Sequence, residues 1–301
     1  MLNAELITAI VTPFDANDEI DYDVLTALVD HLLAQGSDGF VVGGTTGESP
    51  TLTHAEKLEL FKRFAAIVDK RGAVIANVGS NNTKQSVALA QEVSAIDGVD
   101  GLLAVVPYYN KPDQAGMIAH FTAIADAASV PVVIYNIPGR TGVDMQVATV
   151  ATLAKHPNIA GIKQCGDLNK FAAIVDATPA DFHVWTGEDA QFIQVQTLGG
   201  AGVISVASHL YCAQMAQALA ALRRGDLTTV AQLQRALLPK MAALFAWPSP
   251  APTKAALNAA GFAVGTPRLP LLPLSKAQEQ SLAEKLGVES LTALSQEVTA
   301  Q

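Results

Sequence analysis

The stretch Asn158-Ile-Ala-Gly-Ile-Lys-Gln164 is one of eight short apolar runs that decide the fold of this chain. Such nearly continuous runs are typical of parallel strands buried on both faces. They predict strands over residues 7–12, 39–42, 73–78, 101–105, 132–135, 159–163, 183–185 and 202–204. Segments with helical periodicity separate them, for example residues 23–34, 54–68, 83–96 and 115–128. This α/β alternation predicts a (β/α)8 TIM barrel, and a doubly wound open sheet, which normally has fewer strands, is the alternative.

The pattern changes after residue 225, where strand signals stop. Four helices are predicted there, over residues 227–245, 253–260, 276–286 and 290–298, with proline-rich segments at residues 247–252 and 267–273 between them. We therefore predict two domains, a (β/α)8 catalytic barrel over residues 1–225 and a C-terminal helical domain over residues 226–301.

The composition limits the classes of protein to which the chain can belong. The chain of 301 residues is 50% hydrophobic and carries a net charge of −9. Without an apolar run of about 18 residues or a signal-like N-terminus, we expect a cytoplasmic protein that does not span a membrane. Because no block of Lys and Arg occurs, nucleic acids and anionic membranes are not expected partners. Neither the two cysteines nor the six histidines have metal-ligand spacing, so no metal is expected.

Lys163 is the first candidate for chemistry, because it is the charged side chain at the end of a short apolar run. Burial disfavours an ammonium group, so a lysine here can hold a neutral, nucleophilic amine. Schiff-base chemistry on a carbonyl substrate needs such an amine. The alternative is a strand-end lysine whose ammonium reaches back to water.

Three further strand ends carry polar groups, and functional residues of a barrel lie at such ends. The sequence Gly43-Gly-Thr-Thr-Gly-Glu-Ser49 offers backbone N–H groups and hydroxyls to a carboxylate, or it is a turn in which Ser49 or Thr53 caps the next helix. Pro107-Tyr-Tyr-Asn-Lys-Pro112 and Tyr135-Asn-Ile-Pro-Gly-Arg-Thr141 supply phenols and a guanidinium group. A tyrosine can relay protons or simply fill the interior, and Arg140 can bind a carboxylate or form a surface ion pair.

These residues form a coherent set for imine chemistry. Lys163 would form an imine with a keto acid, while Thr46 and the tyrosines move protons. The Gly-Thr-Thr backbone would hold the keto-acid carboxylate, and Arg140 the carboxylate of a second substrate. No metal or cofactor is required, because a protonated imine is itself the electron sink.

With these motifs and Gly161-Ile-Lys163, the chain resembles the dihydrodipicolinate synthase family of class I Schiff-base aldolases. The resemblance covers roughly the first 225 residues and continues loosely into the tail. It implies condensation of pyruvate with L-aspartate 4-semialdehyde to 4-hydroxy-tetrahydrodipicolinate, in lysine and diaminopimelate biosynthesis. It also implies a homotetramer built as a dimer of dimers.

The resemblance also implies a role for each motif residue. Lys163 would form the Schiff base, with Thr46, Tyr135 and Tyr109 as the proton relay and Tyr109 reaching across a dimer interface. The implied substrate-binding residues are Thr45 and Thr46 for the pyruvate carboxylate, Arg140 for the semialdehyde carboxylate, and Gly187 and Ile204 in the pocket wall.

Two alternatives to this function stay open. Related pyruvate-dependent aldolases, such as N-acetylneuraminate lyase and 2-keto-3-deoxy-sugar-acid aldolases, share the lysine and the tyrosine, but typically lack an arginine in the Pro-Gly-Arg context. A barrel that binds a keto acid without turnover would need a broken catalytic set, and the set here is complete.

One departure from the family pattern concerns regulation by lysine. Lysine-inhibited members are expected to have a second histidine and a glutamate at their lysine site. In His54-Ala-Glu-Lys57 and Gly79-Ser-Asn-Asn-Thr-Lys-Gln85, Lys57 and Gln85 stand at those positions. A cation gained and a carboxylate lost both oppose binding of a cationic amino acid, so we predict weak or absent feedback by L-lysine.

Overall fold

The computed structural model describes residues 4–295. Eight parallel strands follow one another around a closed barrel. They are β1 (Leu6–Ala9), β2 (Gly39–Val42), β3 (Ala73–Asn77), β4 (Gly101–Val105), β5 (Val132–Asn136), β6 (Ile159–Gln164), β7 (His183–Thr186) and β8 (Gly202–Ser205). The predicted TIM barrel is therefore confirmed, and the open sheet is excluded because the strand order closes on itself.

The helices alternate with these strands and then continue alone to the end of the described chain. They are α1 (Tyr22–Ala34), α2 (His54–Val68), α3 (Thr83–Val93), α4 (Gln114–Ala127), α5 (Pro138–Thr141), α6 (Val147–Leu153), α7 (Leu168–Ala177), α8 (Gln194–Thr197), α9 (Ser208–Arg223), α10 (Leu227–Ala243), α11 (Ala251–Ala259) and α12 (Lys276–Leu286). None of the helices within residues 4–295 combines the length and the apolar character that a membrane crossing requires.

Helix starts follow local capping chemistry. Thr53 accepts a hydrogen bond from the backbone N–H of Glu56, and the Glu56 carboxylate accepts one from the Thr53 N–H, so the two residues form a capping box at α2. Ser275 and Gln278 do the same at α12. Thr53, one of the two residues that the turn alternative named as a cap, therefore caps the helix after the Gly-Thr-Thr segment.

Except at β1, the strand bounds lie within one residue of the predictions. The largest difference is at β1, predicted over residues 7–12 but ending at Ala9. The backbone N–H of Val11 donates to Nε2 of the buried His209 at 3.1 Å instead of to another strand. A side-chain acceptor from a distant part of the chain thus ends this strand, and local sequence patterns do not reveal such a partner.

By the density of its contacts the chain divides into two compact units. One contains residues 4–5 and 73–204, with Phe121, Phe171 and Trp185 among its largest buried side chains. The other contains residues 6–72 and 205–295, with Phe40, Phe61 and Phe64 in its core. The predicted division into residues 1–225 and 226–301 stays a prediction.

The tail after residue 225 is helical, as expected. The last predicted helix, over residues 290–298, is represented by a short 3-10 turn at Leu291–Ala293, and its residues 296–298 lie outside the described part of the chain.

Candidate active site

Lys163 and Tyr135 lie side by side on neighbouring strands. They are register partners between β6 and β5, so their side chains leave the sheet on the same face. The Lys163 Nζ lies 4.6 Å from the centre of the Tyr135 ring. The predicted amine and the predicted phenol are therefore neighbours.

Lys163 is buried rather than turned towards water. The residue is only 6% exposed, which excludes the alternative of a strand-end lysine with a solvated ammonium. Burial lowers the pKa of the Lys163 amine, and the positive charge of Arg140 lowers it further, although Cys165, Asp189 and Glu188 act in the opposite direction. Burial is the largest of these effects and favours the neutral, nucleophilic amine.

Gly187 forms the wall of the site next to this amine. Its backbone N–H donates to the Gln164 carbonyl at 2.9 Å. A Cβ atom added at Gly187 would lie 2.7 Å from Lys163 Cε and 2.3 Å from Cys165 Sγ. Only glycine leaves room for both side chains. Cys165 is buried, and burial raises the pKa of its thiol to about 12, so it stays protonated.

Arg140 lies on the short helix α5, directly after β5, and its side chain is exposed. Among the described residues it has no ion-pair partner. Its charge nevertheless acts on the Lys163 amine. Because Arg140 does not form the surface ion pair of the alternative interpretation with any described residue, its guanidinium group is available to a substrate carboxylate.

Two buried amides hold the strand ends that carry these residues. Asn136 follows Tyr135, Gln164 follows Lys163, and the Asn136 Nδ2 donates to the Gln164 Oε1 at 2.9 Å. The Gln164 Nε2 in turn donates to the Cys165 carbonyl at 2.7 Å. Both amides lie on the opposite face of the sheet from the amine and the phenol, and they fix the register of β5 against β6.

The same asparagine ties down the segment after Arg140. Its Nδ2 also donates to the Asp144 carboxylate at 3.0 Å, and its Oδ1 accepts from the Met145 N–H at 3.2 Å. Asp144 forms an ion pair with Lys170. Residues 137–145 are therefore anchored at both ends, which restricts where Arg140 can lie.

Thr45 and Thr46 belong to the other compact unit, in the loop of residues 43–49 that follows β2. Thr46 is buried and Thr45 is half-buried. Gly43 has a φ of 62°, and a Cβ there would lie 2.7 Å from the Phe61 ring. The Thr12 Oγ1 donates to the Gly47 carbonyl at 2.7 Å. These contacts restrict the conformation of the loop.

Tyr109 is placed differently from the other predicted site residues. It is 88% exposed and has a φ of 70°, an unfavourable backbone conformation for a tyrosine. The loop that carries it is held by Asn110, whose Nδ2 donates to the Asn81 carbonyl at 2.9 Å. An exposed ring is not packed in the buried surroundings of Lys163. Ile204, by contrast, is wholly buried in β8.

Comparison with known proteins assigns the chain to a family. The model of the dihydrodipicolinate synthetase family matches residues 3–288. The chain belongs to this family. The 4-hydroxy-tetrahydrodipicolinate synthase of Lacticaseibacillus casei strain BL23 is 66% identical over 301 residues, which is the full length of both chains.

Solved dihydrodipicolinate synthase structures agree with this membership. The enzyme DapA-2 of Bacillus anthracis is 42% identical, with a TM-score of 0.92 over 94% of this chain and 97% of that one. The dihydrodipicolinate synthase of Cyanidioschyzon merolae, solved with lysine bound, is 40% identical, with a TM-score of 0.92 over 97% and 99% of the two chains.

Several residues that support the site were not found from the sequence. Asn136 and Gln164 directly follow the candidate tyrosine and lysine. Polar residues at the ends of buried strands are the sequence signal that could have identified them. Glu48 and Lys254 form a buried ion pair. Its signal was a lysine within the apolar sequence of α11, but the carboxylate that pairs with it lies about 200 residues earlier in the chain.

Proposed function

We propose that the chain is a 4-hydroxy-tetrahydrodipicolinate synthase, which condenses pyruvate with L-aspartate 4-semialdehyde through a Schiff base on Lys163. The observation that carries this proposal is the buried Lys163 amine beside the Tyr135 ring. Family membership and the 66% identical relative support it further.

In the proposed reaction the neutral Lys163 amine attacks the C2 carbonyl of pyruvate, and one water leaves as the protonated imine forms. Loss of a proton from the pyruvate methyl group gives an enamine. The enamine carbon adds to the aldehyde carbon of the semialdehyde, whose oxygen takes up a proton. The substrate amine then attacks the imine carbon, which closes the ring and releases Lys163 as the free amine. Each step moves a proton at the site, so it needs a relay.

We assign the relay to Tyr135, Thr46 and Tyr109. The position of Tyr135 next to the amine supports its part directly. The parts of Thr46 and Tyr109 rest on their family motifs. Thr45 and Thr46 would also bind the pyruvate carboxylate, while Gly187 and Ile204 line the pocket.

We infer that the protein is a homotetramer, a dimer of dimers, in which Tyr109 completes the site of a neighbouring copy. An 88% exposed ring on an unfavourable backbone conformation supports this role, since such a ring is available for contacts with a partner. Among solved relatives, one 37% identical protein is described as the first monomeric dihydrodipicolinate synthase variant. The proposed biosynthetic role is consistent with a cytoplasmic location.

A coupled assay tests the proposed reaction. Pyruvate and the semialdehyde are supplied together with a dihydrodipicolinate reductase, and turnover is followed as loss of NAD(P)H. Turnover that disappears without either substrate supports the proposal. Release of pyruvate from a keto-sugar acid, with no use of the semialdehyde, would instead identify a related pyruvate-dependent aldolase.

Replacing Arg140 with Met should impair use of the semialdehyde selectively. A charge-assisted hydrogen bond to a carboxylate contributes about 1.5–3 kcal/mol, so the KM for the semialdehyde should rise about 10- to 100-fold. Formation of the pyruvate imine should remain, because its carboxylate is assigned to other groups. Arg71→Met, which removes an exposed ion pair with Asp30, is the control. An unchanged semialdehyde KM in Arg140→Met would contradict the assignment.

L-Lysine should inhibit the protein weakly or not at all. Lys57 and Gln85 stand where a histidine and a glutamate are expected in lysine-inhibited relatives. Burial lowers the pKa of the Lys57 amine, but a second amine still gives a cationic ligand no favourable partner. Titration of turnover with L-lysine should give no midpoint below the millimolar range. The double variant Lys57→His/Gln85→Glu should be inhibited more strongly, and a submillimolar midpoint in the unchanged protein would refute the prediction.

A further inference from the structure

The loop of residues 43–49 ends on a residue in an unusual state. Glu48 follows Gly47 with a φ of 58°, in the left-handed region, although it is not a glycine. Its side chain is 1% exposed. A charged residue held in this conformation and removed from water persists only where its surroundings determine both the backbone and the carboxylate.

Lys254 of α11 supplies the opposite charge. Its Nζ lies 2.7 Å from the Glu48 Oε1, and its own side chain is also 1% exposed. The ammonium group donates to the Thr266 carbonyl at 3.2 Å and lies 4.2 Å from the centre of the Phe14 ring. The cation is therefore surrounded by a carboxylate, a carbonyl and an aromatic face.

Arg268 forms a hydrogen bond with the other oxygen of the Glu48 carboxylate. Its backbone N–H donates to the Glu48 Oε2 at 2.8 Å, and its guanidinium group donates to the Thr51 carbonyl at 3.1 Å and to the Glu56 carboxylate at 2.6 Å. Two C-terminal segments thus hold Glu48 through its two oxygens. Both segments lie in the same compact unit as the loop.

The backbone transmits this restraint to the threonines. The N–H of Glu48 donates to the Thr45 carbonyl at 3.1 Å, and the N–H of Ser49 donates to the Gly44 carbonyl at 3.1 Å. Thr45 and Thr46 therefore lie inside a turn whose closing residue is fixed by Lys254. A shift of Glu48 moves this turn.

We propose that Lys254 is a positioning residue for the pyruvate site: through Glu48, it sets where the hydroxyl groups and N–H groups of Thr45 and Thr46 lie. The inference rests on the proposed function, which assigns those two threonines to pyruvate. It gives α11 a part in catalysis, although Lys254 touches no substrate. If the buried pair only stabilised the fold, its loss would change stability and leave the pyruvate kinetics of the folded enzyme unchanged.

Lys254→Met, Glu48→Gln and the double variant separate these two roles. Thermal unfolding, the kcat and KM for pyruvate, and borohydride trapping of the pyruvate imine are measured for each. Lys254→Met leaves a buried carboxylate unpaired, so its unfolding midpoint should fall. The double variant contains no buried charge at these positions, so its midpoint should recover towards that of the unchanged protein.

The kinetics should not recover in the same way. In both Lys254→Met and the double variant, measured well below their unfolding midpoints, kcat/KM for pyruvate should be at least about tenfold lower, as expected when positioning of a reacting group is lost. Imine trapping should slow in parallel, while the KM for the semialdehyde changes less. Recovery of the pyruvate kinetics together with the midpoint in the double variant would overturn the proposal.

A second variant covers the case in which Lys254→Met does not fold. Glu48→Gln conserves volume, and the remaining lysine can lose its proton, so no buried charge is forced. A kcat/KM for pyruvate equal to that of the unchanged protein in this variant would overturn the proposal by itself. Lys276→Met, which removes an exposed ion pair with Glu279, is the control and should leave all measured values unchanged. If the unchanged protein neither turns over nor traps pyruvate, the proposed function fails instead.

Discussion

Replacing Lys163 with Ala should abolish condensation of pyruvate with the semialdehyde. In the proposed mechanism this lysine supplies the nucleophile, and loss of a covalent nucleophile costs on the order of 10⁵- to 10⁶-fold in rate. Among the residues that pair in register between β5 and β6, Lys163 is the one whose side chain carries an amine, and its register partner is Tyr135. The coupled assay should therefore give only background, while circular dichroism and the unfolding midpoint show a folded protein.

Lys57→Ala is the matched control for this experiment. Lys57 is also a lysine whose amine pKa is lowered by burial, but it lies on α2 and outside the proposed catalytic set. Its replacement should leave turnover within a few-fold of that of the unchanged protein. If Lys163→Ala keeps more than a small fraction of the activity, the assignment of the nucleophile is wrong.

Replacing Tyr135 with Phe should lower kcat strongly without removing the imine site. The change deletes one hydroxyl group and keeps the ring that packs beside the Lys163 Nζ. General acid–base catalysis by a positioned group contributes about 10²- to 10⁴-fold, and kcat should fall within that range. The KM for pyruvate should change much less, because the proposed carboxylate contacts are made elsewhere.

The control for the phenol is Tyr22→Phe. Tyr22 lies on α1, and the guanidinium carbon of Arg63 lies 4.3 Å from the centre of the Tyr22 ring. Tyr22 has no proposed part in the reaction. Its replacement should leave kcat unchanged. A Tyr135→Phe variant with kcat within a few-fold of the unchanged protein would exclude this phenol from the proton relay.

The barrel could be predicted from the sequence because its strands are specified locally. Residues 39–42 and 101–105 are continuous apolar runs, and both became strands with the predicted bounds. The same holds for α2 and α12, where capping residues and apolar periodicity coincide. Lys163 could be identified as a candidate from the sequence for the same reason, because a charged residue at the end of an apolar run is a local signal.

Other features of the structure depend on contacts between distant residues, which no local pattern contains. The partner of Glu48 on α11 and the partner of Val11 on α9 are each separated from it by about 200 residues, so neither follows from the surrounding sequence. The register that brings Asn136 onto Gln164 depends on how two strands align, and β5 and β6 contain an irregularity of register between Val132 and Val133. Tertiary contacts therefore determine the partners of Glu48 and Val11 and the alignment of β5 with β6.

Tyr109 illustrates a different limit. Its motif predicts a part in catalysis, but in one chain the ring is exposed. A residue that is proposed to act in a neighbouring copy meets its partners there, and the sequence of one chain does not show them. Its unfavourable backbone conformation is a feature of the structure and not of the sequence, and its role can be tested in the oligomer proposed above.

The most direct test of the central claim is reductive trapping of pyruvate by the unchanged protein. Sodium borohydride is added in the presence of pyruvate, and the site of modification is mapped by peptide mass spectrometry. One reduced pyruvyl unit per chain, located on Lys163 and absent from Lys163→Ala, is the result expected from a Schiff-base mechanism. Modification of another lysine, or no modification while the coupled assay shows turnover, would contradict it.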